Sequence, residues 1–221
     1  MAVRLRPALA SLPAYVPGRS VPGATKLASN ESPIGPLPYV VDRICELAGQ
    51  ANRYPDSLSL ELTQALARRY QLPVDQVVVG CGSVSLCQQL VLAAADAGDE
   101  VVYAWRSFEA YPIVVAVGGA KARPVALTDY RHNLPEMAAT VTEATRLVLI
   151  CQPNNPTGTA NTRAEVAQFL ASVSPDVVVV LDEAYREFVT DPDVPDGQEW
   201  LVDHPNVVRT RASGRDGDRP R

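Results

Sequence analysis

No apolar run in this sequence approaches the roughly 20 residues that span a bilayer, so no transmembrane helix is expected. Pro7, Pro13 and Pro17 interrupt the amino-terminal stretch MAVRLRPALASLPAYVPG, which argues against a signal peptide. Basic charge is not in excess. The formal net charge is −5, which gives no reason to expect nucleic acid. The four cysteines, Cys45, Cys81, Cys87 and Cys151, show no C-x-x-C spacing. Three lie in or beside apolar segments, and all four are expected as small core residues in a reducing cytoplasm. No G-x-G-x-x-G follows the first strand, so a nucleotide-binding fold of that kind is disfavoured. Lysine is scarce: Lys26 and Lys121 are the only two.

What is present is an apolar chain of 221 residues, 47% of them hydrophobic, enough for a sizeable core. Charge is unevenly spread. Residues 209–221 hold five arginines and two aspartates, a net of +3, which leaves −8 for the rest. That short basic end reads as a disordered tail. Residues 1–40 are rich in proline and glycine and read as an irregular arm. A helical pattern begins at Val40, a loop follows at NRYPD, and Leu60–Tyr70 has helical spacing. Strands are expected at Val77–Gly80, Glu100–Ala104, Ala122–Leu127, Arg146–Cys151 and Val177–Leu181, with another beginning in NVVRT. Helices are expected between them at 83–97, 108–117, 134–141 and 163–173. Strands and helices in turn imply an α/β fold with a mostly parallel sheet covered on both faces.

In such sheets ligands sit beyond the carboxyl ends of the strands. Three loops therefore share one rim: Gly80-Cys81-Gly82-Ser83, Gln152 to Gly158, and Asp182-Glu183-Ala184-Tyr185. The glycine turn opening a helix at Ser83 offers outward N–H groups and a positive dipole end, suited to phosphate. In PNNPTG, two prolines set a rigid loop from which Asn155 presents its amide. Asp182 ends a buried strand, where a carboxylate is costly unless a cation or several donors meet it. A protonated ring nitrogen is such a cation. Tyr185 lies close enough to join the same ligand, and Phe108 in WRSFEAY could stack on its ring. Glu183 is expected to bond backbone or a neighbouring loop. Each feature alone has a structural explanation, as a capped turn, a self-satisfied loop, a polar strand end or core packing. Together they describe pyridoxal phosphate.

At these residues the chain resembles a fold-type I pyridoxal-phosphate-dependent aminotransferase, of the histidinol-phosphate and aromatic amino-acid aminotransferase subgroup. The matching pieces are YVPGR, KLASNESPIGPLP, NRYPD, GCGSVSLCQQLV, WRSFEAY, CQPNNPTGT and LDEAYREF, in the family's order. The resemblance implies a three-layer large domain over residues 41–208, an arm over 1–40, and an off-family tail over 209–221. It implies that Gly82, Ser83 and Val84 cup the phosphate, Phe108 stacks on the pyridine, Asn155 and Tyr185 bond the phenolic oxygen, and Asp182 bonds the ring nitrogen. It implies that Tyr54 reaches the phosphate of a neighbouring subunit in a homodimer, and that Asn30 lies near the substrate carboxylate. Many members carry an acid where Val84 stands; valine matches the aromatic subgroup and favours an aromatic amino acid over histidinol phosphate as donor. A 2-oxo acid would be the acceptor. The resemblance implies a cytoplasmic enzyme, with no metal, nucleic acid or membrane involved.

The family's Schiff-base lysine should follow NVVRT in a segment like R-T-F-S-K. Here the sequence turns instead to RASGRDGDRPR, and neither Lys26 nor Lys121 matches that position. The small C-terminal domain of the family has no counterpart either. The expectation is a C-terminally truncated or frameshifted chain, inactive alone and prone to aggregate at an unpaired sheet edge. The alternative is a non-catalytic remnant that at most binds the cofactor or pairs with a full-length subunit.

Overall fold

The computed structural model describes Pro7, Leu12 and residues 21–25, 28–32 and 34–212. The YVPGR motif, Lys26 and the tail from residue 213 onward lie outside the described residues. Strands β1 (Glu100–Trp105), β2 (Lys121–Ala126), β3 (Thr145–Cys151), β4 (Val178–Asp182) and β5 (Val207–Thr210) form one sheet in the order β2-β1-β3-β4-β5. Every pairing is parallel. The helices are α1 (Pro38–Ala48), α2 (Leu60–Tyr70), α3 (Gly82–Ala94), α4 (Ala110–Gly118), α5 (Leu134–Thr140) and α6 (Arg163–Ser172). The α/β class with a parallel sheet is as the alternation requires.

The apolar strands are buried on both faces. Val102, Ala104, Val148, Ile150, Val179 and Leu181 pack with Leu134 and Met137 of α5 and Val166, Phe169 and Leu170 of α6. Val101, Tyr103, Leu147, Leu149, Cys151 and Val180 pack on the other side with Cys87 and Val91 of α3 and Tyr111, Val114 and Val115 of α4. Successive residues thus alternate between two dry layers. Val148, Leu149 and Ile150 are all 0% exposed, and each such side chain contributes about 1.5–3 kcal/mol by leaving water. The helices are set locally. Thr162 and Glu165 form a reciprocal capping box at the start of α6, and the Asn133 side chain accepts from the Glu136 N–H at the start of α5.

Three expectations need correction. Val77–Gly80 is not a strand. Val77 is extended (φ −121, ψ 126), but among the described residues no strand pairs with this segment, and Val78 stands 71% exposed. An apolar, extended sequence is not a strand without a neighbour to complete its hydrogen bonds. The boundary placed at residue 208 falls inside β5, because Thr210 pairs with Asp182 and Arg209 packs its guanidinium over the Tyr70 ring. Arg211 beyond it forms ion pairs with Glu183 and Glu187. The four cysteines are not all core: Cys87 and Cys151 are buried, but Cys45 and Cys81 are exposed.

β5 pairs with β4 along one edge only among the described residues. α1 buries none of its residues, and Tyr39, Val41, Ile44 and Leu47 on it are exposed. No helix of the described residues is long and apolar enough to cross a membrane.

Candidate functional site

The sheet order reverses sense between β1 and β3: the chain leaves β1 toward β2 on one side and β3 toward β4 on the other. A crevice opens at the carboxyl ends where adjacent strands send their loops apart. Register decides which strand-tip residues face it. Asp182 lies two residues beyond Val180, so it shares the face packed by α3 and α4. Its register partners are Cys151 on β3 and Thr210 on β5.

One cleft is lined by Ser83, Phe108, Asn155, Asp182 and Tyr185, together with Cys151 and Ala184. Five residues singled out in the sequence thus meet from four separate loops. Asp182 is 1% exposed. Its Oδ2 accepts from the Tyr111 hydroxyl at 2.7 Å and its Oδ1 from Thr210 Oγ1 at 3.0 Å. Burial, reinforced by the Asp182 carboxylate, holds the Tyr111 phenol well above its ordinary pKa, so Tyr111 stays a donor. Phe108 meets Tyr111 edge to face with ring centroids 5.7 Å apart. Cys151, pushed up to about 12 by burial and then by Asp182, is a neutral thiol. It accepts a long hydrogen bond from the Asn155 N–H at 3.4 Å, which steadies the loop carrying that amide.

At the glycine turn, Gly82 adopts φ +79, the left-handed region that favours glycine. Its N–H donates to the Gly80 carbonyl at 2.8 Å. This alters the expected cup: Gly82 supplies the turn, and the outward donors of the first helical turn belong to Ser83 and Val84. Val84 is itself 41% exposed.

Asn30 does not stand apart from the cleft residues. Its Nδ2 donates to the Tyr185 hydroxyl at 2.9 Å, which brings the arm to the mouth of the cleft. Tyr54 is not in the cleft; it is fully exposed, at 101%. Glu183 turns away from the cleft and bonds a neighbouring loop, as its position suggested. Its Oε1 accepts from the Gly197 N–H at 2.7 Å, and Oε2 faces Arg211 at 3.5 Å and Arg209 at 3.9 Å.

Sequence reasoning missed Tyr111 and Thr210. Tyr111 was legible in principle, lying three residues, about one helical turn, beyond Phe108 at the start of α4. Thr210 could be found only from the β4–β5 register. A buried polar cluster behind the cleft was also missed. Ser107, His132, Asn154 and Asn161 are all 0–4% exposed.

Burial holds the His132 imidazole down at about 4, against 6.5 for a free side chain. A folded pKa below the unfolded one means that the neutral ring's contribution is fully present above about pH 6.5 and is lost as pH falls toward 4. The whole effect is about 3 kcal/mol. The urea midpoint of the wild type is therefore expected to fall more steeply between pH 6.5 and 4 than that of His132→Gln. Parallel profiles would remove His132 as the cause.

Residues 22–213 match the aminotransferase class I and II family. The chain therefore belongs to the class I and II aminotransferases, the fold-type I enzymes that use pyridoxal phosphate. It is 54% identical over 211 residues to an aromatic amino acid aminotransferase of Thermobifida fusca, covering 94% of this chain and 59% of that protein. It is 54% identical over 215 residues to one of Nocardia farcinica, covering 96% of this chain and 60% of that protein. The histidinol-phosphate aminotransferase of Sinorhizobium meliloti, solved in complex with pyridoxal-5'-phosphate, superposes with a TM-score of 0.84 at 31% identity. That match covers 96% of this chain and 59% of the other. The chain thus spans about three-fifths of the length of these relatives.

Proposed function

We propose that this cleft binds pyridoxal 5'-phosphate. The carrying observation is the convergence of Ser83, Phe108, Asn155, Asp182 and Tyr185 on one cleft. The donor set fits the group. The Ser83 and Val84 N–H groups and the dipole of α3 would take the phosphate. Asn155 and Tyr185 would take the phenolic oxygen, and Phe108 would cover the ring. Asp182, held by the Tyr111 and Thr210 hydroxyls, would keep the ring nitrogen protonated. Bound there, the cofactor supplies an electron sink for a carbanion at an amino acid's α-carbon.

The reaction we assign by family is amino-group transfer between an aromatic amino acid, or histidinol phosphate, and a 2-oxo acid, in a reducing cytoplasm. Asn30 at the cleft mouth would meet the substrate. The functional unit is proposed as a homodimer. The exposed apolar residues of α1 and the exposed Tyr54 support a second copy packing there, with Tyr54 reaching its phosphate. This 221-residue chain, with Lys26 and Lys121 as its only lysines, is proposed to bind rather than turn over.

Titration of the purified chain with pyridoxal phosphate, followed by difference absorbance and by retention on desalting, tests this. Saturable one-to-one binding below about 1 mM, relieved by inorganic phosphate, is expected. Absence of saturation in that range would sink the reading.

A further inference from the structure

The polar cluster behind the cleft converges on Asn154, the neighbour of Asn155. Asn154 Oδ1 accepts from Ser107 Oγ at 2.7 Å and lies 3.0 Å from His132 Nε2. Its Nδ2 donates to the Arg106 carbonyl at 3.2 Å and to Thr157 Oγ1 at 2.8 Å. Its backbone N–H donates to the Thr159 carbonyl, and its carbonyl accepts from the Gly158 N–H, both at 2.8 Å. The amide cannot be turned over. The Arg106 carbonyl only accepts, so it must face the NH2 end, and Oδ1 must face His132. His132 therefore carries its proton on Nε2 and donates.

The other ring nitrogen confirms the state of the ring. Nδ1 is buried with no hydrogen-bond partner among the described residues. A proton there would be an unpaired donor on a buried cation, so the ring is neutral. The backbone of His132 is tied as well, its carbonyl accepting from Asn161 Nδ2 at 3.0 Å.

These bonds join three connections. Arg106 and Ser107 follow β1 and lead into Phe108. Asn154 to Thr159 follow β3 and contain Asn155. His132 lies between β2 and α5. We propose that His132 is a positioning residue: acting through Asn154, it holds the Phe108 loop and the Asn155 loop in fixed mutual register. Its distance from the cleft is bridged by one amide, and each loop's cleft-facing side chain is one residue from that bridge. The consequence for cofactor rests on the function proposed above. Loops held apart by the right distance place the ring's stacking partner and its amide donor together without further ordering on binding.

Two variants test it. His132→Leu removes the donor; His132→Gln keeps an N–H within reach of Asn154 Oδ1. Amide hydrogen exchange is read on the unliganded chain over 106–110 and 154–159. With His132→Leu, exchange is expected to rise in both loops together while the β3 and β4 amides hold, and His132→Gln is expected to restore both. Pyridoxal phosphate should bind His132→Leu roughly tenfold more weakly, while inorganic phosphate, held by the α3 turn, should bind as before.

The proposal is overturned if only one loop loosens or neither does. It is also overturned if exchange rises throughout the chain with a fall in Tm, if His132→Gln fails to rescue, or if phosphate affinity falls in step. Should His132→Leu not fold, Ser107→Ala removes the other donor to the same oxygen and is read the same way. If wild type takes up no pyridoxal phosphate, the functional reading fails, and the exchange data still decide for or against His132.

Discussion

Asp182→Asn is expected to weaken pyridoxal-phosphate binding by roughly a hundredfold while leaving the chain folded. The substitution is isosteric. The Asn oxygen can still accept from Tyr111, and its NH2 can donate to the Thr210 hydroxyl, so the pair of buried hydroxyl bonds at 2.7 and 3.0 Å survives with altered polarity. What is lost is the negative charge. Removing one member of a buried, hydrogen-bonded charge pair costs about 2–5 kcal/mol, and 3 kcal/mol corresponds to about two orders of magnitude in Kd. Equilibrium titration gives the affinity, and a urea transition on the same sample shows that the fold is intact. Equal affinities for Asn and Asp at 182 would mean that no cationic ring nitrogen sits against this residue.

The second large effect is on turnover. Incubated with an aromatic amino acid and a 2-oxo acid, the 221-residue chain is expected to give no transamination above background. After borohydride reduction, Lys121 should carry no cofactor adduct in peptide mapping. For Lys121 the physical reason is distance. Lys121 opens β2 opposite Glu100, the first residue of β1, and its Nζ binds the Glu100 carboxylate at 3.2 Å. Asp182 is the last residue of β4, at the other end of the sheet. Five residues at about 3.3 Å each put roughly 16 Å between the two ends, beyond the reach of a lysine side chain. A stoichiometric adduct on Lys121, or turnover that vanishes in Lys121→Arg, would contradict this geometry.

The elements were legible where period and composition agreed. Leu60–Tyr70 begins and ends where its apolar spacing does, and the strand ending in Asp182 is an all-apolar run that only a two-sided core explains. The site was legible to the extent that strand tips are: Ser83, Asn155 and Asp182 each follow or end an apolar run, and the parallel alternation brings those ends together. Val77–Gly80 misled because its sequence has strand character but none of the described strands pairs with it. Thr210 and the Ser107–Asn154–His132 bridge were hidden for a related reason. Ser107 and Asn154 are 47 residues apart, and nothing local in either segment marks the other as its partner. Gly82 shows a finer limit: its need for φ +79 is readable from the turn, but the loss of its N–H to Gly80 is not.

The alternation of β4 also fixes what kind of genetic change the site can survive. Exchanging one valine for another aliphatic residue keeps the frame of inward and outward positions. Losing a single codon anywhere in Val178–Leu181 would rotate the carboxylate to the opposite layer, into the position of Leu181 opposite Arg209 and away from the Tyr111 and Thr210 hydroxyls. Drift in this segment is therefore open in identity and closed in length.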